Sequence, residues 1–124
     1  MIAADTSSLV AYFNGEAGAD VERLATVLAA AELPLPPVVV TEILSDPATA
    51  AIIEKPIRQL HMLELGDGYW VRAARARSVI HRHGLKAKVA DALIAQACIH
   101  HDIALITRDR DFRHFARYCG LKLA

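Results

Sequence analysis

DIALITRDRDF, residues 102–112, is the stretch on which the fold turns. Its apolar run IALI is short and shows no polar alternation, the pattern of a strand buried on both faces of a sheet. The turn that follows interleaves Asp109 and Asp111 with Arg108 and Arg110. Two readings of that turn stand open. The aspartates are helix-capping groups neutralised by neighbouring arginines, or they form one corner of a metal site whose other corners lie elsewhere in the chain.

Upstream of this strand, residues 88–100 read as a helix whose alanines let it lie close to a sheet. Downstream, DFRHFARYC reads as a short helix, Gly120 as its break and LKLA as a last strand. At the other end of the chain, IAAD is a short strand followed by Thr6, Ser7 and Ser8, residue types suited to helix N-caps. A helix from about Ser7 to Asn14 should stop near Gly15. In residues 17–31, Val21, Leu24, Ala25 and Leu28 recur on one helical face. In LPLPPVVV the prolines confine strand pairing to Val38–Val40. Thr41 would then cap a helix beginning at Glu42, interrupted or restarted at Asp46–Pro47. HMLEL, residues 61–65, is the third strand expected. From Asp67 to about His83, Tyr69, Ala73, Ala76 and Ile80 share a helical face, and Gly84 sits where a helix-ending glycine would. Short apolar strands alternating with helices predict an α/β domain with a mostly parallel sheet covered on both faces.

The chain of 124 residues has the length of one domain, and its 54% hydrophobic and 23% charged composition is that of a folded protein. No apolar run approaches a membrane span, and MIAADTSS lacks the basic and hydrophobic regions of a signal peptide. A cytoplasmic protein with no membrane partner is expected. Cys98 and Cys119, without a CxxC-like neighbour, read as small apolar groups and not as a disulfide or zinc site. The net charge of zero conceals an asymmetry. Residues 1–67 carry ten acids against three bases, a balance of −7, and residues 68–124 carry eleven bases against four acids, a balance of +7. Arg72, Arg75, Arg77, Arg82, Lys86 and Lys88 fall within one acid-free stretch, which suits a polyanion or a solvated helix face.

Four acids share a place in the pattern. Asp5 ends the first strand, Glu42 follows the expected second, Asp91 opens the helix before IALI and Asp109 lies just beyond it. In a parallel α/β domain, strand ends and the helix starts that follow them point to one rim. Each acid alone is an ordinary turn or cap residue. Together, like charges at one rim repel unless a cation sits between them, and an all-oxygen set suits Mg²⁺ or Mn²⁺.

IAADTSSLVAYF, VVVTEILS, VADALIAQAC and ALITRDRDF resemble, in order, the four motifs of the PIN-domain nucleases, and most closely the VapC-type toxins of prokaryotic toxin–antitoxin pairs. The resemblance spans essentially the whole chain, though residues 45–66 carry no matching motif. It implies a single α/β/α sandwich over residues 1–124 with sheet order 3-2-1-4-5. It implies a catalytic set of Asp5, Glu42, Asp91 and Asp109, with Asp5, Asp91 and Asp109 at a Mg²⁺ or Mn²⁺ ion. Thr6, Thr107 and Asp111 match supporting positions. The implied reaction is hydrolysis of an RNA phosphodiester leaving a 5′-phosphate and a 3′-hydroxyl. The implied partners are a cognate antitoxin, the RNA substrate and a second copy of the chain. Arg72, Arg75, Arg82, Arg108 and Arg110 are then candidates for contact with the RNA backbone.

Other features read more plainly. His100 and His101 suit the C-terminal end of a helix, Tyr69 and Trp70 suit packing or an interface, and Ser7 and Ser8 suit capping. An aspartyl phosphatase would want an acid at position 7, where Ser7 stands, and a receiver domain an acidic pair after strand one. No Gly-rich phosphate loop follows any strand. The alternatives that remain are an inactive RNA- or protein-binding module of the same fold and a housekeeping RNA-processing nuclease.

Overall fold

The computed structural model describes residues 1–124. Three strands, β1 (Ile2–Ala4), β2 (Ala104–Ile106) and β3 (Lys122–Leu123), form a parallel sheet in the order β1-β2-β3. Seven helices surround it: α1 (Thr6–Phe13), α2 (Ala19–Ala29), α3 (Pro37–Leu44), α4 (Pro47–Arg58), α5 (Tyr69–Arg82), α6 (Val89–His100) and α7 (Phe112–Cys119). The expected strands at both ends of the chain and at IALI are present, as are the helices that flank them. α2 and α6 both pack on β2, which is why its run is apolar throughout.

The segment around Val38–Val40 departs from expectation. It is not a strand but the middle of α3. Pro37 occupies the first turn, where its fixed φ favours the helix and its missing N–H costs nothing. Val39 and Ile43, four residues apart, are then buried together, and this packing overrides the β preference of three consecutive valines. Extended pairing occurs earlier, where the Leu35 N–H donates to the His61 carbonyl and the Leu63 N–H to the Leu35 carbonyl, both at 2.8 Å. HMLEL therefore contributes a single parallel bridge, Leu35 with Met62, instead of a full strand. The two sets of pairings correspond to 1-4-5 and 2-3 of the expected order, with no ladder between them.

Residues 45–66, which carry no motif, are filled chiefly by α4. Asp46 caps it, accepting from the Ala48 N–H at 3.1 Å, and Pro47 opens it. Ile53 and Ile57 turn its apolar face inward. α6 is buried on nearly every side, from Ala92 through Ile94, Ala95 and Ala97 to Cys98. A helix apolar all round belongs in the centre of a domain, and its alanines permit the close approach to α5 and β2. Tyr69 packs inward as expected, its hydroxyl donating to the Leu93 carbonyl at 2.6 Å. Trp70 does not, being 66% exposed.

Candidate functional site

The sheet register builds the floor of the site. Ala4 pairs with Ile106, so the next residues along each strand, Asp5 and Thr107, emerge side by side. The Asp5 N–H donates to the Ile106 carbonyl at 3.1 Å, and the Thr107 hydroxyl donates to Asp5 Oδ2 at 2.6 Å. Asp5 is also the N-cap of α1, a role expected of the hydroxyl residues after it. Its Oδ1 accepts from the Ser8 N–H at 3.1 Å, and the Ser7 hydroxyl lies 2.8 Å from both carboxylate oxygens. Asp5 is thus a buried carboxylate held from several directions.

Thr107 turns the chain toward the other acids, its Oγ1 accepting from the Asp109 N–H at 3.0 Å. Asp109 Oδ1 in turn accepts from the Asp111 N–H at 2.9 Å. This short relay aims both aspartates of the turn at Asp91, in the first turn of α6. Carboxylate oxygens of Asp91, Asp109 and Asp111 all lie within 4.8 Å of one another. Asp111 stands at the N-cap position of α7 but makes no side-chain cap bond, so the capping reading of it does not hold. The closest trio differs from the expected one, with Asp111 in the place given to Asp5. The i, i+2 spacing of Asp109 and Asp111 was the signal for it in the sequence.

Glu42 reaches this rim by another route. It lies in the last turn of α3, not at a helix start, and is exposed. The Thr6 hydroxyl donates to its Oε1 at 2.8 Å. Its charge is felt at Asp91. Burial pushes the Asp91 carboxyl up to about 6, with Asp109 the next cause, Glu42 and Asp111 adding to it and Lys88 opposing it. Burial also raises Asp5, against the bonds from Thr107, Ser8 and Ser7, and the Asp109 charge adds to the rise. Carboxylates drawn from separate segments and crowded at one rim form a hard-oxygen set suited to a divalent cation.

A pH dependence follows. In the folded chain Asp91 holds its proton to higher pH than in the unfolded chain, where its value is near 3.8. Without a divalent ion, stability should therefore fall as pH rises from about 4 through about 6, as the native state gives up a proton it had kept. Mg²⁺ should reverse the trend above pH 6. At about 100 times its dissociation constant it would add about 2.7 kcal/mol, a rise in Tm of roughly 10 °C for a chain of this size. Thermal unfolding at pH 5 and pH 7.5, with EDTA or Mg²⁺, measures this. Equal Mg²⁺ shifts at both values would contradict it.

Behind the acids lies a brace that nothing in the sequence spacing announces. Arg108 donates through Nε and Nη2 to the two oxygens of Asp20, at 2.8 and 3.0 Å, and reaches Glu16 at 3.4 Å. The Ser8 hydroxyl donates to Asp20 Oδ2 at 2.9 Å. The Arg108 guanidinium holds the Asp20 carboxyl down to about 2. Arg108, a candidate for the RNA path, is therefore committed within the protein. Gly18 makes room for this arrangement: with φ at +149°, any Cβ there would sit 2.5 Å from Asp20 Oδ1.

The remaining arginines divide. Arg110 borders a cleft of about 200 Å³ with Asp109, Arg113 and the C-terminal residues. Arg72, Arg75 and Arg82 are exposed on α5 without protein partners. A different set from the same stretch, Arg77, His81, Lys86 and Lys88, shares a hollow of about 380 Å³ with Asp111. His100 and His101 form no metal cluster. His101 ends α6, with its Nε2 2.7 Å from the Glu64 carbonyl.

Comparison with known proteins agrees with this fold. One family, described as the PIN domain, matches residues 2–118. No curated protein matches the chain by sequence. Among solved structures, VapBC2 from Rickettsia felis bound to a DNA fragment from their promoter is similar, with a TM-score of 0.77 and 18% identity over 100% of this chain and 98% of that one. FitAcB from Neisseria gonorrhoeae gives a TM-score of 0.71 at 18% identity, covering 99% and 96% of the two chains. DNA-bound VapBC from Salmonella typhimurium gives 0.69 at 16% identity, with the same coverage of 99% and 96%.

Proposed function

The chain belongs to the PIN-domain family, and from that premise we propose that it is a metal-dependent endoribonuclease acting in the cytoplasm as the toxin of a VapC-type toxin–antitoxin pair. The observation that carries this reading is the convergence of Asp91, Asp109 and Asp111 within 4.8 Å, beside Asp5 and Glu42. Asp91, Asp109 and Asp111 would hold the ion, with Asp5 beneath them and Glu42 at the rim. A bound Mg²⁺ or Mn²⁺ would supply a water made nucleophilic near neutral pH and charge to set against the phosphate.

The chain's own residues perform the rest. Thr107 ties Asp5 to the backbone of Asp109, so that strand ends and turn move as one piece. Ser7 donates to Asp5 and accepts from the Arg108 N–H at 3.4 Å, closing the same ring from the α1 side. Thr6 orients Glu42. Because burial has raised Asp91, this carboxyl changes its protonation state closer to neutral pH than an ordinary aspartate does. Arg110 and the cations beside Asp111 stand on either side to hold the phosphate backbone.

An antitoxin partner is part of the proposal. The similar structures named VapBC support it, and so does an apolar cleft between α1 and α4 lined by Val10, Phe13, Ile52 and Ile53, with Ile52 73% exposed. A homodimer follows from the family resemblance, and light scattering on the purified protein tests it. The activity itself is tested by incubating the protein with single-stranded RNA and Mn²⁺, with and without EDTA. Cleavage that leaves 5′-phosphate ends and stops with EDTA is expected. Tight RNA binding without cleavage would replace the enzyme by an RNA-binding module.

A further inference from the structure

Two hollows on the outer side of α5 and α6 adjoin because both are lined by Arg77 and His81. The outer one, of about 360 Å³, has Trp70 at its far end and a floor of small residues, Ala73, Ala74 and Ala92. The inner one, of about 380 Å³, adds Lys86 and Lys88 and ends at Asp111. Together they make one trough that opens directly onto the acid cluster. From Trp70 to His81 it follows α5 for about 17 Å at 1.5 Å per residue, the reach of a few nucleotides.

We infer that this trough is a path for single-stranded RNA, in which Arg77, His81, Lys86 and Lys88 contact phosphates and Trp70 stacks on a base at the far end. The inference rests on the ribonuclease reading and deepens it by naming the strand's route. Charge supports it first: four cationic or protonatable side chains line the inner hollow, and its one acid is Asp111 of the cluster itself. They are also free to act. Arg77 spends only its Nε, on the Ala87 carbonyl at 2.7 Å, and its terminal nitrogens have no protein partner. The side chains of His81, Lys86 and Lys88 make no hydrogen bond or ion pair.

The aromatic end is preorganised. Trp70 meets Tyr69 edge to face, with ring centroids 5.0 Å apart and planes at 78°. Tyr69 is itself fixed by its bond to the Leu93 carbonyl. The indole is therefore braced on one edge and left 66% exposed. Base stacking on such a ring tolerates any sequence, because every base has a π face. A protein partner would gain from the apolar floor but would have to place acids along the cationic inner half. A polyanion with flat apolar bases satisfies both halves at once.

Trp70 is the only tryptophan in the chain, so its emission reports on the trough directly. The experiment titrates a fluorescein-labelled single-stranded RNA dodecamer into Asp91→Asn protein with Mg²⁺, following label anisotropy and Trp70 emission together. Binding should quench the tryptophan. Lys86→Ala/Lys88→Ala should weaken binding about tenfold and flatten the salt slope by about 1.4, at about 0.7 for each phosphate no longer neutralised. Trp70→Ala, followed by anisotropy alone, should also weaken it about tenfold. Thermal unfolding of each variant checks that it remains folded. The inference is overturned if RNA does not bind, or if it binds with Trp70 silent and the lysine variant unchanged; the latter result would leave the trough to a protein partner. Cleavage by the unsubstituted protein is scored separately. Cleavage with a silent trough overturns the route and keeps the enzyme, whereas a quenched Trp70 without cleavage keeps the route and overturns the enzyme.

Discussion

Asp91→Asn is expected to lower metal-dependent RNA cleavage by about a thousandfold or more while leaving the metal-free protein at least as stable as before. The two effects have opposite signs for one reason. Asp91 is 8% exposed and faces Asp109, Glu42 and Asp111, so its charge is costly until a cation balances it. Asparagine keeps the shape and removes the charge. Repulsion in the empty cluster then falls, and so does the affinity for the ion. Crowded acids of this kind are tolerated at the expense of stability because function needs them. The measurement is paired: initial cleavage rates with Mn²⁺, and Tm with EDTA and with Mg²⁺. The variant should lose most of the Mg²⁺-induced rise in Tm. A cleavage rate within tenfold of the parent's would remove Asp91 from the reaction, whatever the Tm shows.

The second large effect belongs to the core, and it reaches the site through one peptide bond. Phe112 follows Asp111 and is 1% exposed, tilted against Phe115 with ring centroids 6.1 Å apart. It anchors the start of α7 and hence the downstream end of the turn that carries both aspartates. Phe112→Ala should cost about 3–5 kcal/mol, counting lost transfer energy and the cavity left behind. Against a total stability of about 5–15 kcal/mol for a domain, that is enough to unfold a substantial share of the protein near 37 °C. Phe112→Leu keeps most of the volume and should cost less than about 1.5 kcal/mol. Urea midpoints for the two variants measure the difference. A loss under about 1 kcal/mol for the alanine variant, below the range for emptying a core site, would show that α7 is held from elsewhere, and the turn with it.

Both predictions bear on the turn of residues 107–112, which Asp91 faces and Phe112 anchors, and whose role is largely legible from the residues alone. The strand before it, the helix after it and the placing of Asp5, Asp91 and Asp109 toward one rim follow from where apolar runs stop and acids begin, although the trio that meets most closely is Asp91, Asp109 and Asp111. Asp5 and Thr107 are adjacent because parallel strands in register end together. That rule needs only the periodicity of the chain and the direction of the strands.

Val38–Val40 shows where such reasoning fails. Three β-branched residues favour an extended backbone by a modest amount. Pro37 at the first turn and the joint burial of Val39 with Ile43 favour the helix by more. Glu42 consequently reaches the rim from the last turn of a helix instead of the first. Arg108 fails for a related reason. Its partners Asp20 and Glu16 lie 88 and 92 residues away, and an arginine followed directly by an aspartate gives no sign of turning from it.

The amino-acid sequence by itself determined the layered α/β plan, the ends of β1 and β2, and the acids gathered at their rim. These depend on local patterns: where an apolar run ends, which residue caps, and which glycine breaks a helix. Only the tertiary structure decided that Asp111 joins Asp91 and Asp109, that Arg108 turns away to Asp20, and that Trp70 stands exposed at the head of a cationic trough. These depend on which side chains meet across long stretches of chain, and that is set by how the helices pack on the sheet and not by any local pattern.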